Sequence, residues 1–289
     1  MIGVDWGTTR CRAYRMHNRV LIDRRDSDAG TLALAPSDFP AALRRLVDSW
    51  LSDGEDRVLL AGMVGSRQGW VEAPYVPCPV SLPLLAQSVI AVPFSGASAR
   101  LVPGVAGHDA TGAPEFMRGE EAQIFGTDIT TGIICLPGSH SKWVAVTDGR
   151  IVEFSTHLTG EAYAALRQHT ILARSMRGAS VDLTAFDAGV ARSGESGGVL
   201  HHLFGVRALA LADRLGEAAG ESYLSGLLIG HEVRAALGPP PAAVHVIAAT
   251  HLADLYARAL RACGATVHAW PDDTAALGLC RIAEAASWS

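Results

Sequence analysis

The residues that decide the fold are IGVDWGTTRCRAYRMHNRV, at positions 2–20, and IICLPGSHSKWVAVTDGRI, at positions 133–151. The two stretches align without a gap at an offset of 131 residues, so that Gly7 falls on Gly138 and Thr8 on Ser139. Each contains an apolar strand, a tight loop of glycine and hydroxyl residues, a second strand, a short turn and a third strand. Although few residues are identical, the shared order predicts an internal duplication.

The turns between the second and third strands support this interpretation. His17-Asn18 in the first copy and Asp148-Gly149 in the second are expected to join the two strands, because such residues tolerate positive φ. In each copy, helical and strand patterns follow this set of three strands, which we call a strand triple. This order predicts an α/β fold of two related domains. We expect an N-terminal domain at residues 1–128 and a C-terminal domain at 129–289, with the boundary in a polar stretch before the second triple.

The spacing of apolar residues predicts where the remaining elements lie. Helices are predicted at 38–51, 119–126, 160–169, 199–215, 219–236, 251–262 and 273–286. Strands are predicted at 57–61, 244–248 and near 266–268. The proline-rich segment 74–83 is expected to be a loop.

The composition narrows the class of protein. The chain has 289 residues, 49% of them hydrophobic, and a net charge of −5, which predicts a real core and argues against partners such as nucleic acid or a membrane surface. The sequence begins without a secretory signal pattern, and its five cysteines are scattered, which predicts reduced thiols and a cytoplasmic location. Among 24 Lys and Arg residues only Lys142 is lysine. Either this site requires a compact ammonium group or a surface lysine stands there by chance.

The two glycine-hydroxyl loops are candidate phosphate sites. In the first loop Asp5 could hold Mg²⁺, and the backbone of Gly7 with the hydroxyls of Thr8 and Thr9 could bind phosphate oxygens. The second loop has the same form and adds a cation, its candidate residues being Gly138, Ser139, His140, Ser141 and Lys142. Either loop alone is better explained as a structural turn. As a pair they favour phosphoryl transfer, which depends mainly on positioning and charge neutralisation.

Five blocks in order along the chain resemble the 2-dehydro-3-deoxygalactonokinase family. The blocks are DWGTT at 5–9, GMVGS with GWVEAPY at 62–75, MRGEEAQ at 117–123, PGSHSKWV at 137–144 and LSGLLIG at 224–230. The resemblance implies a fold of two duplicated actin/hexokinase-like (ribonuclease H-like) domains, with mixed β-sheets and a central cleft. It also implies that ATP and Mg²⁺ serve to phosphorylate the C6 hydroxyl of 2-dehydro-3-deoxy-galactonate, in galactonate catabolism.

A kinase needs a base that accepts the proton of the attacking hydroxyl. Related sugar kinases resemble this chain in having an acidic residue at a helix start before the second domain, which makes Glu120 the first candidate, with Glu121 second. Acidic residues at a helix start also simply complement the helix dipole, so this alternative stays open. Asp109 is a third candidate that the sequence does not exclude.

The loop at 65–70 is the candidate site for the sugar acid. Ser66, Arg67 and Gln68 offer polar groups there, and Trp70 offers an aromatic wall. Since arginine suits a carboxylate, Arg67 and Arg118 are the candidates for binding the acid group. Trp70 and Trp6 are equally explained by core packing, and Arg67 by surface exposure.

The adenosine site departs from the family pattern, which has a glycine pair after the last long strand of the second domain. Here Ala248 and Ala249 occupy that place. Alanine resists positive φ, so either the loop is unstrained or nucleotide affinity is reduced. Gly226 could still let adenine approach. The alternatives are a kinase of the same fold for another small sugar and a catalytically silent nucleotide-binding relative. The sequence leaves open whether the chain forms a homodimer.

Overall fold

Both predicted strand triples form in the computed structural model, which describes residues 1–177, 181–238, 242–271 and 273–288. The first triple comprises β1 (Ile2–Trp6), β2 (Cys11–His17) and β3 (Val20–Ser27). Its counterpart comprises β11 (Gly132–Leu136), β12 (Ser141–Thr147) and β13 (Arg150–His157). Every strand of the second triple therefore begins 130 residues after its counterpart.

The predicted offset of 131 residues is thus wrong by one. It matched Gly7 to Gly138, whereas the strands match Gly7 to Pro137. The first turn also lies one residue later than predicted, at Asn18-Arg19 with φ of 47° and 63°. The second turn lies at Asp148-Gly149 as predicted, with φ of 50° and 69°. Because the two stretches can be aligned without a gap at either offset, the sequence pattern alone does not distinguish the two registers.

The remaining strands complete three sheets. They are β4 (Arg57–Gly62), β5 (Tyr75–Pro77), β6 (Val80–Ser81), β7 (Ile90–Val92), β8 (Ser98–Leu101), β9 (Gly104–His108), β10 (Pro114–Met117), β14 (Ala243–Ile247) and β15 (Thr266–Trp270). The sheet orders are β3-β2-β1-β4-β8-β7, β10-β9-β5 and β15-β14-β11-β12-β13-β6. Segment 74–83 therefore holds two short strands, so its prediction as a loop is wrong.

The two large sheets share one topology. In the first, β1 is antiparallel to β2 and parallel to β4, which is parallel to β8. In the second, β11 is parallel to β14, which is parallel to β15. Both sheets thus contain the order third, second, first, fourth, fifth strand. This agreement confirms the predicted duplicated α/β fold with mixed sheets.

The helices in the described part of the chain mostly match the predicted ranges. They are α1 (Phe39–Ser52), α2 (Leu82–Gln87), α3 (Glu120–Phe125), α4 (Thr159–His169), α5 (Leu183–Arg192), α6 (Gly198–Leu211), α7 (Gly220–Ala236), α8 (Thr250–Ala262) and α9 (Thr274–Ala285). The sequence analysis missed α2 and α5. Among these helices none is long and apolar enough to cross a membrane.

Contacts divide the chain into two units. Unit 1 contains Met1–Gly132, Val144–Phe154 and Asp272–Ser289, and unit 2 contains Ile133–Trp143 and Ser155–Pro271. The last helix, α9, thus groups with unit 1, although the predicted C-terminal domain included it. The proposed domain boundary at residues 128/129 stays a prediction.

Helix α9 supports the two elements of unit 1 that hold the candidate carboxylates. It packs against both β1 and α3. A Cβ built at Gly278 of α9 would lie 1.7 Å from the carbonyl oxygen of Ala122, and one built at Gly126 would lie 1.9 Å from that of Thr274. Glycine at both positions therefore lets α3 and α9 approach backbone to backbone.

Candidate active site

Three acidic side chains of unit 1 lie where β1 ends and α3 begins. Asp5 is half-buried on β1, and Glu120 and Glu121 form the first turn of α3. Gly119, which precedes them, has φ of 113°, a conformation that favours glycine. A Cβ built there would lie 3.2 Å from Gly62 Cα and 3.9 Å from Asp5 Oδ1. The structure thus brings Asp5 and the start of α3 together, as the proposed catalytic roles require.

Burial and repulsion from Glu120 raise the pKa of two of these carboxyl groups. Burial raises the pKa of Asp5 to about 6, with Glu120 adding to the rise and Arg12 opposing it. Burial and the neighbouring Glu120 also raise the pKa of Glu121 to about 8. Perturbed carboxyl groups of this kind are common at catalytic sites.

The three candidate bases differ in their surroundings. Glu120 is half-buried, and its Oε2 accepts the Arg118 backbone N–H at 3.0 Å. Glu121 is fully buried, with both oxygens accepting the Gly119 N–H at 2.7 and 2.8 Å. Asp109 closes the turn between β9 and β10, where hydrogen bonds from Thr111 and the backbone lower its pKa. Of the three, Glu120 best combines access with proximity to Asp5.

The first glycine-hydroxyl loop is fastened by its backbone. The Gly7 N–H donates to Arg10 O at 2.8 Å, and the carbonyl oxygens of Gly7 and Thr8 accept from Thr31 and Leu32 at 3.0 and 3.1 Å. Thr8 and Thr9 are exposed. The loop is therefore fixed from behind, and its two threonines lie at the surface.

Arg118 has a buried guanidinium group beside the predicted sugar-acid loop. The residue is 8% exposed, its Nη2 donates to Ala73 O at 2.8 Å, and the group lies 4.3 Å from the centre of the Tyr75 ring. Within the described residues, Nε and Nη1 have no hydrogen-bond partner. Buried donors without a partner are costly, which favours a ligand that would accept from them.

The other predicted sugar-acid residues lie in varied surroundings. Trp70 stacks on Phe39 with ring centres 6.4 Å apart, and Trp6 is 1% exposed with its indole N–H donating to Ala29 O. For these two tryptophans the geometry favours core packing. Ser66 is half-buried and Gln68 is exposed. The exposed Arg67 side chain lies 3.5 Å from Glu72 Oε1.

The second glycine-hydroxyl loop borders a cavity of unit 2 of about 600 Å³. Gly138 and Ser139 line one side of it, and residues of α7 and α8, including Ser225 and Leu255, line another. Helix α4 presses against the loop, since a Cβ built at Gly160 would lie 2.4 Å from Gly138 O. A cavity of this size suits a nucleotide-sized ligand.

The side chains of this loop point to different surroundings. Ser139 and His140 are exposed, and the His140 ring hydrogen bonds to Glu161 of α4. Lys142 is 6% exposed and donates from Nζ to Thr156 Oγ1 at 2.7 Å. Ser141 is fully buried behind the loop, with its hydroxyl 2.9 Å from that of Tyr256.

The backbone at the predicted adenosine residues Ala248 and Ala249 shows whether alanine is strained in this loop. Ala249 is exposed and has φ of −57°, and Ala248 is absent from the non-glycine residues with positive φ in the described chain. The loop therefore does not require glycine. Gly226 allows close packing of α5 on α7, because a Cβ there would lie 2.0 Å from Phe186 O.

Sequence reasoning missed several polar side chains that line the cavity. They include Tyr163 and Arg167 of α4, Glu221 of α7 and His251 of α8. Arg167 and Glu221 form an ion pair at 2.9 Å. No motif connects these residues, because they come from three helices that are distant in sequence.

A model of the 2-keto-3-deoxy-galactonokinase family matches residues 5–282. The chain belongs to this family. Over 297 residues it is 34% identical to a protein of Rhizobium meliloti (strain 1021) named as a probable 2-dehydro-3-deoxygalactonokinase, covering 99% of this chain and 96% of the relative. It is 32% identical over 280 residues to the 2-dehydro-3-deoxygalactonokinase of Escherichia coli (strain K12), covering 95% and 94% of the two chains.

A solved structure supports the family fold. A crystal structure from Sinorhizobium meliloti, provisionally named as a 2-dehydro-3-deoxygalactonokinase, superposes with a TM-score of 0.90 at 32% identity and covers 98% of each chain. The resemblance stated from the sequence motifs is thereby confirmed, as is the actin/hexokinase-like fold class. Members of this family are kinases, and this chain is one by descent.

Proposed function

We propose that this kinase transfers the γ-phosphoryl group of ATP to the C6 hydroxyl of 2-dehydro-3-deoxy-galactonate. The observation that carries the proposal is the meeting of Asp5 and Glu120 in unit 1, at a site with perturbed carboxyl groups. Family membership supports the choice of substrate, since the relatives are named for that activity.

Glu120 would accept the proton of the C6 hydroxyl as that oxygen attacks the γ-phosphorus. A new bond forms between the C6 oxygen and phosphorus, the bond from phosphorus to the bridging oxygen breaks, and ADP leaves with those electrons. We propose that Lys142 stabilises the negative charge that spreads over the transferred phosphoryl group. Thr8, Thr9, Ser139 and His140 are the proposed phosphate contacts, from their exposed positions in the two loops.

The residues present suit Mg²⁺ held mainly by phosphates and water. Within the described chain no group of three or more His, Cys, Asp or Glu residues could hold a metal by itself. Mg²⁺ in phosphoryl-transfer sites commonly takes one or two carboxylates, and Asp5 offers one at the end of β1. When bound, the ion would neutralise phosphate charge, and its charge would favour the ionised form of Asp5.

Arg118 is the proposed partner of the sugar-acid carboxylate. Its Nε and Nη1 atoms are buried donors that no described residue satisfies, and a carboxylate would accept from one of them. The adenosine is assigned to the cavity of unit 2, which borders Gly138 and Ser139. In this proposal the backbone around the adenosine is shaped by Ala248, Ala249 and Gly226.

The test is a coupled assay of ADP release with ATP, Mg²⁺ and a panel of 2-keto-3-deoxy sugar acids. We expect turnover with the galactonate-derived acid, slower turnover with its C4 epimer, and none with the analogue that lacks the C6 hydroxyl. Phosphorus NMR of the product should show a C6 phosphate ester. Measurable ATP binding without turnover of any acid would contradict the proposal and favour a silent relative.

A further inference from the structure

A buried chain of hydrogen bonds lies behind the loop of residues 136–142 in unit 2. It starts at Glu232 of α7, which is 3% exposed. Glu232 Oε1 accepts the indole N–H of Trp143 at 2.8 Å, and Oε2 accepts the hydroxyl of Tyr256 at 2.7 Å. The Tyr256 oxygen lies 2.9 Å from Ser141 Oγ, which lies 3.5 Å from the Gly138 nitrogen.

The carboxylate sets the direction of every bond in this chain. A tyrosine hydroxyl has a single hydrogen, and Tyr256 donates it to Glu232. Tyr256 can therefore only accept from Ser141, whose hydrogen points away from the loop. A lone pair of Ser141 Oγ is left facing the Gly138 N–H. Burial and the neighbouring Glu232 raise the pKa of Tyr256, so this donation persists over the working pH range.

The position of Ser141 indicates an indirect role for its hydroxyl. The residue is fully buried, whereas Ser139 and His140 are exposed on the same loop. Its hydroxyl hydrogen is committed to Tyr256 and is not available to a phosphate oxygen. Ser141 was predicted as a direct contact to ATP, but this arrangement favours a contact to the loop backbone.

We propose that Glu232 is a positioning residue which, through Tyr256 and Ser141, fixes the backbone at Gly138 and Ser139 for the triphosphate of ATP. This inference rests on the proposed kinase function. It adds a specific path from α7 through α8 to the phosphate loop. Because the path is serial, breaking it at either end has the same effect on the loop.

The experiment compares Ser141→Ala, Glu232→Gln and the double variant in steady-state assays and in direct ATP titrations. We expect each single variant to lower kcat/KM for ATP by about 5- to 10-fold, the effect of one hydrogen bond. The KM for the sugar acid should stay within about 2-fold, since the residues of this path belong to unit 2 and the proposed sugar-acid residues belong to unit 1. The double variant should be no worse than the worse single variant, because both act through one path.

Trp143→Phe is the matched control, since it removes the other donor to the same carboxylate and leaves the path to the loop intact. It should lower Tm much as Glu232→Gln does, yet leave kcat/KM for ATP within about 2-fold.

Two results would overturn the inference. One is a double variant whose loss in kcat/KM for ATP is the product of the two single losses, and the other is a loss in Trp143→Phe as large as in the single variants. If Glu232→Gln does not fold, an unchanged ATP affinity in Ser141→Ala overturns it alone. A wild-type protein that neither binds ATP nor phosphorylates any acid would overturn this inference and the proposed function together.

Discussion

Glu120 and Glu121 are adjacent in sequence, yet their carboxyl groups have different surroundings. Glu121 is fully buried and accepts a hydrogen bond from the Gly119 N–H, whereas Glu120 is half-buried near Asp5. We therefore expect Glu120→Gln to lower kcat by about 10²–10⁴-fold, as the loss of a general base does. Steady-state kinetics with saturating ATP and sugar acid would measure this.

Asp109→Asn is the control for that variant, because Asp109 serves a hairpin turn with a lowered pKa. It should retain kcat within about 3-fold, allowing for the loss of one turn contact. If Asp109→Asn lowered kcat strongly and Glu120→Gln lowered it little, the base would be Asp109 in the hairpin.

Lys142 gives a second prediction at this scale. Lys142 is buried and donates from Nζ to Thr156 Oγ1, and a larger, planar guanidinium group does not reproduce the geometry of a compact ammonium. Lys142→Met should lower kcat by about 10²–10³-fold, and Lys142→Arg should not restore it. Full activity of Lys142→Arg would show that charge alone is needed there.

Single residues show what sequence reasoning can propose and where it stops. Asp5, Glu120 and Lys142 could be proposed because their types and loops suit phosphoryl transfer. Whether Trp6 and Trp70 face a ligand or the core could not, because that depends on partners such as Phe39. The link between Glu232 and Tyr256 has no sequence signal, since it joins two helices through side chains.

Among the elements, the crossing of α3 and α9 offers the sharpest test of how the carboxylates are held. A methyl group at Gly278 would overlap the Ala122 carbonyl oxygen. Gly278→Ala should therefore destabilise the protein by about 1–3 kcal/mol through overpacking, and lower kcat by displacing Glu120. Urea unfolding and steady-state kinetics would measure the two effects.

Gly216→Ala is the matched control, because a Cβ at Gly216 meets no atom within 4 Å. It should leave stability within about 0.5 kcal/mol and activity unchanged. If Gly278→Ala behaved in the same way, the α3–α9 contact would not be what positions the site.

Element types were easier to predict than their register or partners. Strand triples and most helices follow from apolar periodicity, which is a local property. The offset of the repeat could not be fixed, because the sequence can be aligned without a gap with Gly7 opposite either Pro137 or Gly138. The short strands β5 and β6 were missed because two to three residues carry no period.

For the whole molecule, Glu121 predicts how stability changes with pH. Its pKa is about 8 in the folded chain and near the ordinary 4.5 when unfolded. Between these values the folded state holds a proton that the unfolded state has lost, so stability falls as pH rises, by on the order of 1 kcal/mol per pH unit. Glu121→Gln cannot titrate and should gain stability relative to the wild type between pH 5 and pH 8.

Thermal unfolding of both proteins across that pH range would measure the difference. Asp5 titrates in part of the same window, with a pKa raised to about 6, but it is present in both proteins and cancels in the comparison. A constant difference in Tm between the two proteins would show that Glu121 is not protonated in the folded state.

The grouping of α9 with unit 1 has a consequence for biosynthesis. A ribosome makes β1 and α3 first, and it makes α9 only after both segments of unit 2. The half that is begun first is therefore finished last. During translation, unit 2 with its cavity can therefore be completed before α9 is available to pack against β1 and α3, which carry the acidic residues.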